Sequence, residues 1–136
     1  MNFSSARIIT ADIKRLVQFY EHVTGTPMTW YTDEFAELRT PLASLAIGST
    51  KTLAFFGGDE VAEAAANRSV IIEFRVEDVD ECYETLAGFL DKVVVQKPTT
   101  MPWGNRSLLF RDPDGNLINF FTPATSDAKR RFESAE

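Results

Sequence analysis

The chain has 136 residues, a formal net charge of −6 and a single cysteine. With 44% hydrophobic residues it can bury the core of one ordinary domain, which disfavours disorder. The acidic balance argues against nucleic acid or an anionic membrane as a partner, because both require a basic surface. No apolar run approaches the roughly 20 residues that cross a bilayer, and residues 1–15 lack the pattern of a signal peptide.

The one cysteine, Cys82, excludes an internal disulfide and suits a reducing cytoplasm. It lies within a helical pattern, so we expect a packed thiol rather than a nucleophile.

The first half of the chain predicts a strand, a helix and several further strands. Residues 6–10 form a short apolar strand, and Asp12 caps a helix that ends at Gly25. Short strands punctuated by proline and glycine are predicted over residues 29–32, 35–40, 44–47 and 53–56. Residues 58–68, which include four alanines, read as a polar linker with some helical tendency.

The same order then restarts. A strand over residues 70–76 precedes a helix that Asp78 caps, and the next strand covers residues 93–96. The last hairpin pairs residues 106–110 with 117–121 through a turn at 112–115. The caps and apolar stripes of the two helices coincide under one constant offset, which predicts an internal duplication.

The duplication predicts an α+β fold in which two βαβββ modules form a single domain. Module one covers about residues 4–57, and module two covers about residues 69–122. The two modules are expected to form a curled mixed sheet around a central cup, with the helices outside. In the tail, residues 123–136, a short helix is predicted over 127–132, and Phe132 is expected to hold it to the body or to a partner.

Alternation along the strands places polar side chains inside the predicted cup. Arg7 and Glu73 are equivalent under the offset, so they either pair to fix how the modules dock or hold a ligand. Asn119 lies between two apolar residues of the inward face. It is either a core amide bonded to the backbone or a group that orients a ligand carbonyl or amide.

Several motifs carry a family resemblance. The first half contains ITADI followed by FY, and the second contains FRVEDV, PWG and FRDPDGN. Together with the module repeat over residues 6–122, they resemble the vicinal oxygen chelate superfamily, the fold of glyoxalase I, extradiol dioxygenases and bleomycin-resistance proteins. The resemblance implies the fold more than the function, because that superfamily includes lyases, oxygenases, epimerases and proteins that only bind drugs.

Metal-using members of that superfamily hold a divalent ion with four inward side chains, usually His, Glu or Gln. By this resemblance, the four ligand positions correspond in this sequence to Ser5, Ala54 or Phe55, Ile71 and Asn119. None of these offers an imidazole or a carboxylate, so we expect no metal site and no cofactor. The only histidine, His22, lies in the last turn of the first helix and is not expected to replace them.

Candidate ligand-binding residues combine the polar groups of the cup with aromatic residues of its wall. They are Arg7, Trp30, Phe55, Glu73, Arg75, Trp103 and Asn119. An arginine would fork onto an anionic oxygen, and Glu73 would accept a donor or act as a catalytic acid or base. Trp103 would present a flat face for stacking or would pack against a module or a dimer partner. Of Trp30 and Tyr31, one is expected to face the cup and the other the outside.

We therefore expect a metal-free protein that sequesters an aromatic or drug-like small molecule, as bleomycin-type resistance proteins do. One alternative is a lyase, isomerase or dioxygenase-like enzyme acting on a small carbonyl or aromatic compound through Glu73. A second alternative is a dimer whose cavity is vestigial. The resemblance implies a homodimer, and composition favours a cytoplasmic protein without nucleic-acid or membrane partners.

Overall fold

The structure is a computed structural model that describes residues 1–133. In chain order the elements are β1 (Ser5–Thr10), α1 (Ile13–Thr24), β2 (Thr29–Thr32), β3 (Phe35–Arg39), β4 (Ser44–Ser49), a 3₁₀ helix (Thr50–Phe55), β5 (Ile71–Arg75), α2 (Val79–Leu90), β6 (Val94–Thr100), β7 (Asn105–Arg111), β8 (Leu117–Pro123) and α3 (Ser126–Glu133). Within this part of the chain, no helix combines the length and apolarity needed to cross a membrane.

Two four-stranded mixed sheets share one topology. The strand order is β1-β4-β3-β2 in the first sheet and β5-β8-β7-β6 in the second. In each, the first strand pairs in parallel with the fourth, and the remaining pairs are antiparallel. The predicted α+β fold of two βαβββ modules is therefore confirmed.

The chain separates into two compact units. Among the described residues, the first unit holds Met1–Asn67 and Pro113–Gly115, and the second holds Arg68–Asp112 and residues 116–133.

The two long helices begin in the same way. The Asp12 carboxylate accepts a hydrogen bond from the Arg15 backbone N–H at 3.2 Å, and the Asp78 carboxylate accepts one from the Glu81 N–H at 3.1 Å. Such a cap satisfies a backbone donor that has no partner inside the helix, and it stabilises the fold by about 1 kcal/mol. Both predicted caps are confirmed.

The core lies between each helix and one face of its sheet. In the first unit, Leu38 and Ile47 are 2% and 0% exposed on the face covered by α1. In the second, the Phe110 and Phe120 rings meet edge to face at 5.0 Å below α2. Because strand residues alternate, their neighbours point to the opposite side of the sheet, which we call the distal face.

The predicted strand over residues 53–56 is wrong. Residues Thr50–Phe55 form the 3₁₀ helix, and the strand that returns beside β1 is β4. The Ser49 hydroxyl accepts a hydrogen bond from the Lys51 N–H at 3.2 Å, and the Thr52 hydroxyl donates to the Ser49 carbonyl at 2.7 Å. These local bonds turn the chain out of the sheet. The helical tendency expected of residues 58–68 is also absent, since that stretch forms only turns and a bend.

The predicted turn between the last two strands is confirmed. The Asp112 carboxylate accepts hydrogen bonds from the Asn116 backbone N–H at 3.0 Å and from its side-chain amide at 2.8 Å. Both residues are buried, so each polar group needs the other. Asp114, at the tip of the turn, pairs with Arg15 of α1 at 3.2 Å within the first unit.

The predicted tail helix is confirmed as α3. The Thr125 hydroxyl accepts a hydrogen bond from the Ala128 N–H at 3.2 Å at the start of the helix. Phe132 packs against Phe121 of β8, with ring centroids 5.4 Å apart. The helix therefore lies against the distal face of the second sheet.

Gly104 links α3 to the turn that carries Trp103. Its carbonyl accepts hydrogen bonds from the N–H groups of Ala124 at 2.9 Å and Thr125 at 3.2 Å. Its φ is +96°, and a Cβ there would lie 2.1 Å from the Thr125 hydroxyl oxygen. Only glycine fits this contact without moving the start of α3.

We expect Gly104→Ala to destabilise the protein by about 2 kcal/mol or more, because it adds backbone strain and a steric clash. Gly88→Ala is the matched control. Gly88 lies in the exposed part of α2 with no atom near its added Cβ, so the change should stabilise the protein by about 0.5–1 kcal/mol. Urea denaturation measures both, and a Gly104→Ala variant as stable as wild type would contradict the described packing.

Candidate functional site

The distal face of the first sheet carries Arg7. Arg7 lies opposite Ala46 of β4, and its guanidinium carbon is 4.4 Å from the centroid of the Phe35 ring. The Phe56 ring lies 4.6 Å from the same carbon. Two aromatic rings therefore contact this cation through their negative faces.

A polar group lies beside these rings on β2 and β3. Tyr31 stacks on Phe35 with ring centroids 5.5 Å apart, and its hydroxyl donates to Glu37 at 3.2 Å. Arg39 forms an ion pair with Glu37 at 3.2 Å and also donates to the Tyr31 hydroxyl. The hydrogen bond with Tyr31 is the main cause that raises the pKa of Arg39, and the charge of Glu37 adds to it. These charges are already balanced.

Two predicted aromatic residues do not share this arrangement. Trp30 lies opposite Ala36, a buried residue of the face that α1 covers, so Tyr31 is the member of the pair on the distal face. Phe55 is 87% exposed at the end of the 3₁₀ helix, and the neighbouring Phe56 contacts Arg7 instead. Sequence reasoning missed Phe56 because it read residues 53–56 as a strand.

The distal face of the second sheet carries Glu73 and Asn119. These residues are register partners on β5 and β8, and the Asn119 side-chain N–H donates to Glu73 Oε2 at 2.8 Å. Asn119 is 8% exposed, whereas Glu73 is exposed. The Asn119 Oδ1 atom is buried and accepts no hydrogen bond from residues 1–133. The amide is thus oriented by a carboxylate while its own acceptor is unused.

The tail helix approaches the other two predicted residues of this unit. The Arg75 guanidinium carbon lies 5.4 Å from the Phe132 ring centroid. The Trp103 side chain is 59% exposed, while its backbone carbonyl accepts a hydrogen bond from Arg131 at 2.7 Å. The Trp103 turn is therefore held by its backbone and presents its indole to solvent.

The predicted Arg7–Glu73 pair would link residues of different units, and it stays a prediction. Within its own unit, as far as the structure describes it, Arg7 has no carboxylate at ion-pair distance, and Glu73 is bonded to Asn119.

The register corrects one of the four positions that the family resemblance assigned to metal ligands. Ala46 lies opposite Arg7 as Asn119 lies opposite Glu73, so Ala46 is the equivalent of Asn119, and the assignment to Ala54 or Phe55 is wrong. The reason is that β4, and not residues 53–56, pairs with β1.

The corrected set of residues does not fit a transition metal. It offers a hydroxyl, a methyl group, an aliphatic chain and an amide, from Ser5, Ala46, Ile71 and Asn119. Divalent iron, nickel or zinc needs several imidazole, thiolate or carboxylate ligands that converge. Over residues 1–133, no group of three or more His, Cys, Asp or Glu side chains is placed to hold a metal ion.

Cys82 is partly buried in α2. Burial raises the pKa of its thiol, and the negative charges of Asp78 and Glu81 raise it further. The thiolate is the reactive form, so this environment opposes nucleophilic chemistry.

A model of the Glyoxalase/Bleomycin resistance protein/Dioxygenase superfamily matches residues 2–120. The uncharacterized protein YraH of Bacillus subtilis (strain 168) is 30% identical over 125 residues, which span 89% of this chain and 98% of that protein.

Solved structures resemble the fold at low identity. A glyoxalase/bleomycin resistance protein/dioxygenase family enzyme from Burkholderia phytofirmans PsJN superposes with a TM-score of 0.76 at 16% identity, over 90% of this chain and 99% of that one. A glyoxalase-related enzyme from Fulvimarina pelagi has a TM-score of 0.74 at 18% identity, over 93% and 94% of the two chains.

We expect the Cys82 thiol to react slowly with iodoacetamide. The midpoint of its rate-against-pH curve should lie above the pKa of a free thiol, about 8.5. The raised pKa lowers the thiolate fraction at pH 8, so the rate should increase steeply only at higher pH. The control is the same chain unfolded in guanidinium, followed by mass spectrometry. A profile with the same midpoint in both states would contradict the described environment.

Proposed function

Because the chain belongs to the glyoxalase/bleomycin resistance protein/dioxygenase superfamily, we propose that it uses this fold to bind a small organic molecule without a metal ion. The ligand class is an aromatic or drug-like compound. The family includes both binding proteins and enzymes, so the side chains of this chain, and not its fold, decide what it binds.

The observation that carries the proposal is the unused acceptor of Asn119 beside Glu73. A buried carbonyl oxygen without a donor costs about 1–3 kcal/mol. The Glu73 hydrogen bond fixes the direction of the amide, so this oxygen is held in one orientation. A ligand N–H or O–H donated to Asn119 Oδ1 would recover that cost, and Glu73 would accept a second donor.

The surroundings of this pair suit an organic ligand. Ile71 lies two residues before Glu73 on the same face of β5 and is 50% exposed. Leu109 is half-buried directly opposite Asn119. Apolar surface around a few oriented polar groups is typical of small-molecule sites. We propose that Trp103 and Arg75 also belong to the ligand-binding residues of this unit and Arg7 to those of the other, where Trp30 and Phe55 lie apart from Arg7 and stay predictions.

One observation favours an enzyme as a second candidate. Within residues 1–133, Glu73 accepts a side-chain hydrogen bond only through Oε2, so Oε1 is available to take a proton. Such a carboxylate could act as a base on a small carbonyl compound. Exchange of the α protons of phenylacetone in D₂O, followed by NMR, separates the candidates. Faster exchange with wild type than with Glu73→Gln supports an enzyme, and equal rates support binding alone.

We further propose that the protein is cytoplasmic and forms a homodimer. Support comes from the unpaired thiol of Cys82 and from large apolar side chains that are exposed in the single chain, among them Val95 at 52%. Light scattering after gel filtration measures the mass, and a monomer at micromolar concentration would contradict the dimer.

The binding proposal predicts that 1-naphthamide, a neutral aromatic amide with two N–H donors, binds without added metal. Asn119→Ala should weaken binding by roughly tenfold, equivalent to ~1.4 kcal/mol, because one directed hydrogen bond is lost. Calorimetry and tryptophan quenching measure the affinity, before and after EDTA treatment and again with added Ni²⁺ or Zn²⁺.

Asn105→Ala is the matched control for this experiment. Asn105 also has a buried amide oxygen without a hydrogen bond from the described residues, but its register partner is Pro123 and not a carboxylate. Its removal should leave the affinity within about twofold. Binding that requires the metal, or that is equal in Asn119→Ala and wild type, would refute the proposal.

A further inference from the structure

Arg7 is the group whose contacts point beyond a neutral ligand. The rings of Phe35 and Phe56 lie 4.4 Å and 4.6 Å from its guanidinium carbon. We call these three residues the Arg7 clamp. The guanidinium carbon lies over both rings, and the N–H groups of the guanidinium are the donors that Arg7 can offer to an acceptor.

The fold holds the stem of Arg7 as well as its head. A Cβ at Gly48 would lie 3.5 Å from Arg7 Cδ and 3.0 Å from the Thr52 hydroxyl oxygen. The 3.5 Å distance corresponds to an ordinary van der Waals contact, so the aliphatic part of Arg7 lies beside the backbone of β4 at Gly48. A long, flexible side chain fixed in this way loses less conformational freedom when it binds a ligand.

Phe56 is held from the other side by the chain that follows the 3₁₀ helix. The N–H groups of Phe56 and Gly58 both donate to the Leu53 carbonyl at 2.9 Å. Leu53 is 4% exposed, so this short turn is anchored in the core. Phe56 itself is 59% exposed, which leaves the edge of the clamp open to solvent.

Arg7 differs from three other cations of its unit in having no ion-pair partner there. Arg15, Arg39 and Lys51 each have a carboxylate partner, at 3.2, 3.2 and 3.6 Å. Arg7 has none among the described residues of its unit, and its register partner is Ala46. It is an exposed cation that lies over two aromatic rings and has no carboxylate partner within its unit, so its N–H groups are accessible to a ligand.

We propose that Arg7 binds the carboxylate of an aromatic organic acid. The guanidinium edge offers two parallel N–H groups, which match the two oxygens of a carboxylate. The exposed Phe56 ring, together with Tyr31 stacked on Phe35, provides aromatic surface for the ligand ring. This inference rests on the proposed small-molecule binding and names its ligand class.

The test compares 1-naphthoate with 1-naphthamide, which have the same ring system and differ in charge. We expect Arg7→Gln to reduce the ratio of naphthoate to naphthamide affinity by about tenfold, while naphthamide binding changes by less than threefold. Naphthamide is the uncharged reference, so a fall in the ratio reports the interaction of Arg7 with the carboxylate and not a general loss of binding. In wild type, the preference should weaken as salt rises from 50 to 500 mM (roughly 14 to 4 Å of screening length).

Two further variants complete the design. Arg7→Lys retains the charge but not the paired donors, so its ratio should fall between those of wild type and Arg7→Gln. Arg39→Gln removes an arginine of the same sheet face that is already paired with Glu37, and it should leave the ratio unchanged. Thermal melts confirm that each variant is folded.

The outcomes separate this inference from the binding proposal. If naphthamide binds wild type and Arg7→Gln leaves the ratio unchanged, the carboxylate inference is wrong and the binding proposal stands. An equal loss of both ligands in Arg7→Gln would mean that Arg7 only packs, which also overturns the inference. If Arg7→Gln lowers the ratio but Asn119→Ala has no effect on naphthamide, the carboxylate site stands and the role of Asn119 fails.

Discussion

The parallel pairing of the first and last strands in each module is the constraint on which the rest of the structure depends. β1 pairs with β4 and β5 pairs with β8, each in continuous register. A slip of one residue would turn every side chain to the other face of the sheet. The helix-covered faces exclude such a slip, because they bury residues such as Ile47 and Phe120 almost completely. Arg7 and Glu73 therefore have to lie on the distal faces, since the core cannot hold an unpaired charge.

Local signals predicted much of this arrangement. The caps at Asp12 and Asp78, the apolar stripes of the helices and the turn at 112–115 depend on neighbouring residues, and all of them are confirmed. The strand at 53–56 could not be decided in this way, because a short apolar run suits a strand or a buried helical turn equally well. The decision came from tertiary structure: β4 already occupies the edge of β1.

For the candidate site, the sequence predicted individual residues but not the contacts between them. Alternation indicated which residues share a face, but the bond between Asn119 and Glu73 depends on the register of two strands 46 positions apart. The rings around Arg7 come from β3 and from the chain after the 3₁₀ helix, and no local pattern brings those segments together. The choice between Trp30 and Tyr31 depends on an irregular register between β2 and β3.

The duplication makes the chemistry of the two modules directly comparable. Arg7 of the first module is equivalent to Glu73 of the second, and their register partners Ala46 and Asn119 are equivalent to each other. In the second module, the amide beside the carboxylate gives Glu73 a local donor, and the carboxylate fixes the direction of the amide. In the first, Ala46 gives Arg7 no acceptor, and its guanidinium carbon lies over the Phe35 and Phe56 rings. Each module thus presents a different polar group on its distal face: Asn119 with an acceptor that no described residue bonds, and Arg7 with N–H groups that meet no carboxylate of its own unit. Only the Asn119 acceptor carries an energetic cost, because it is buried without a donor, whereas Arg7 is exposed and water can hydrate its N–H groups.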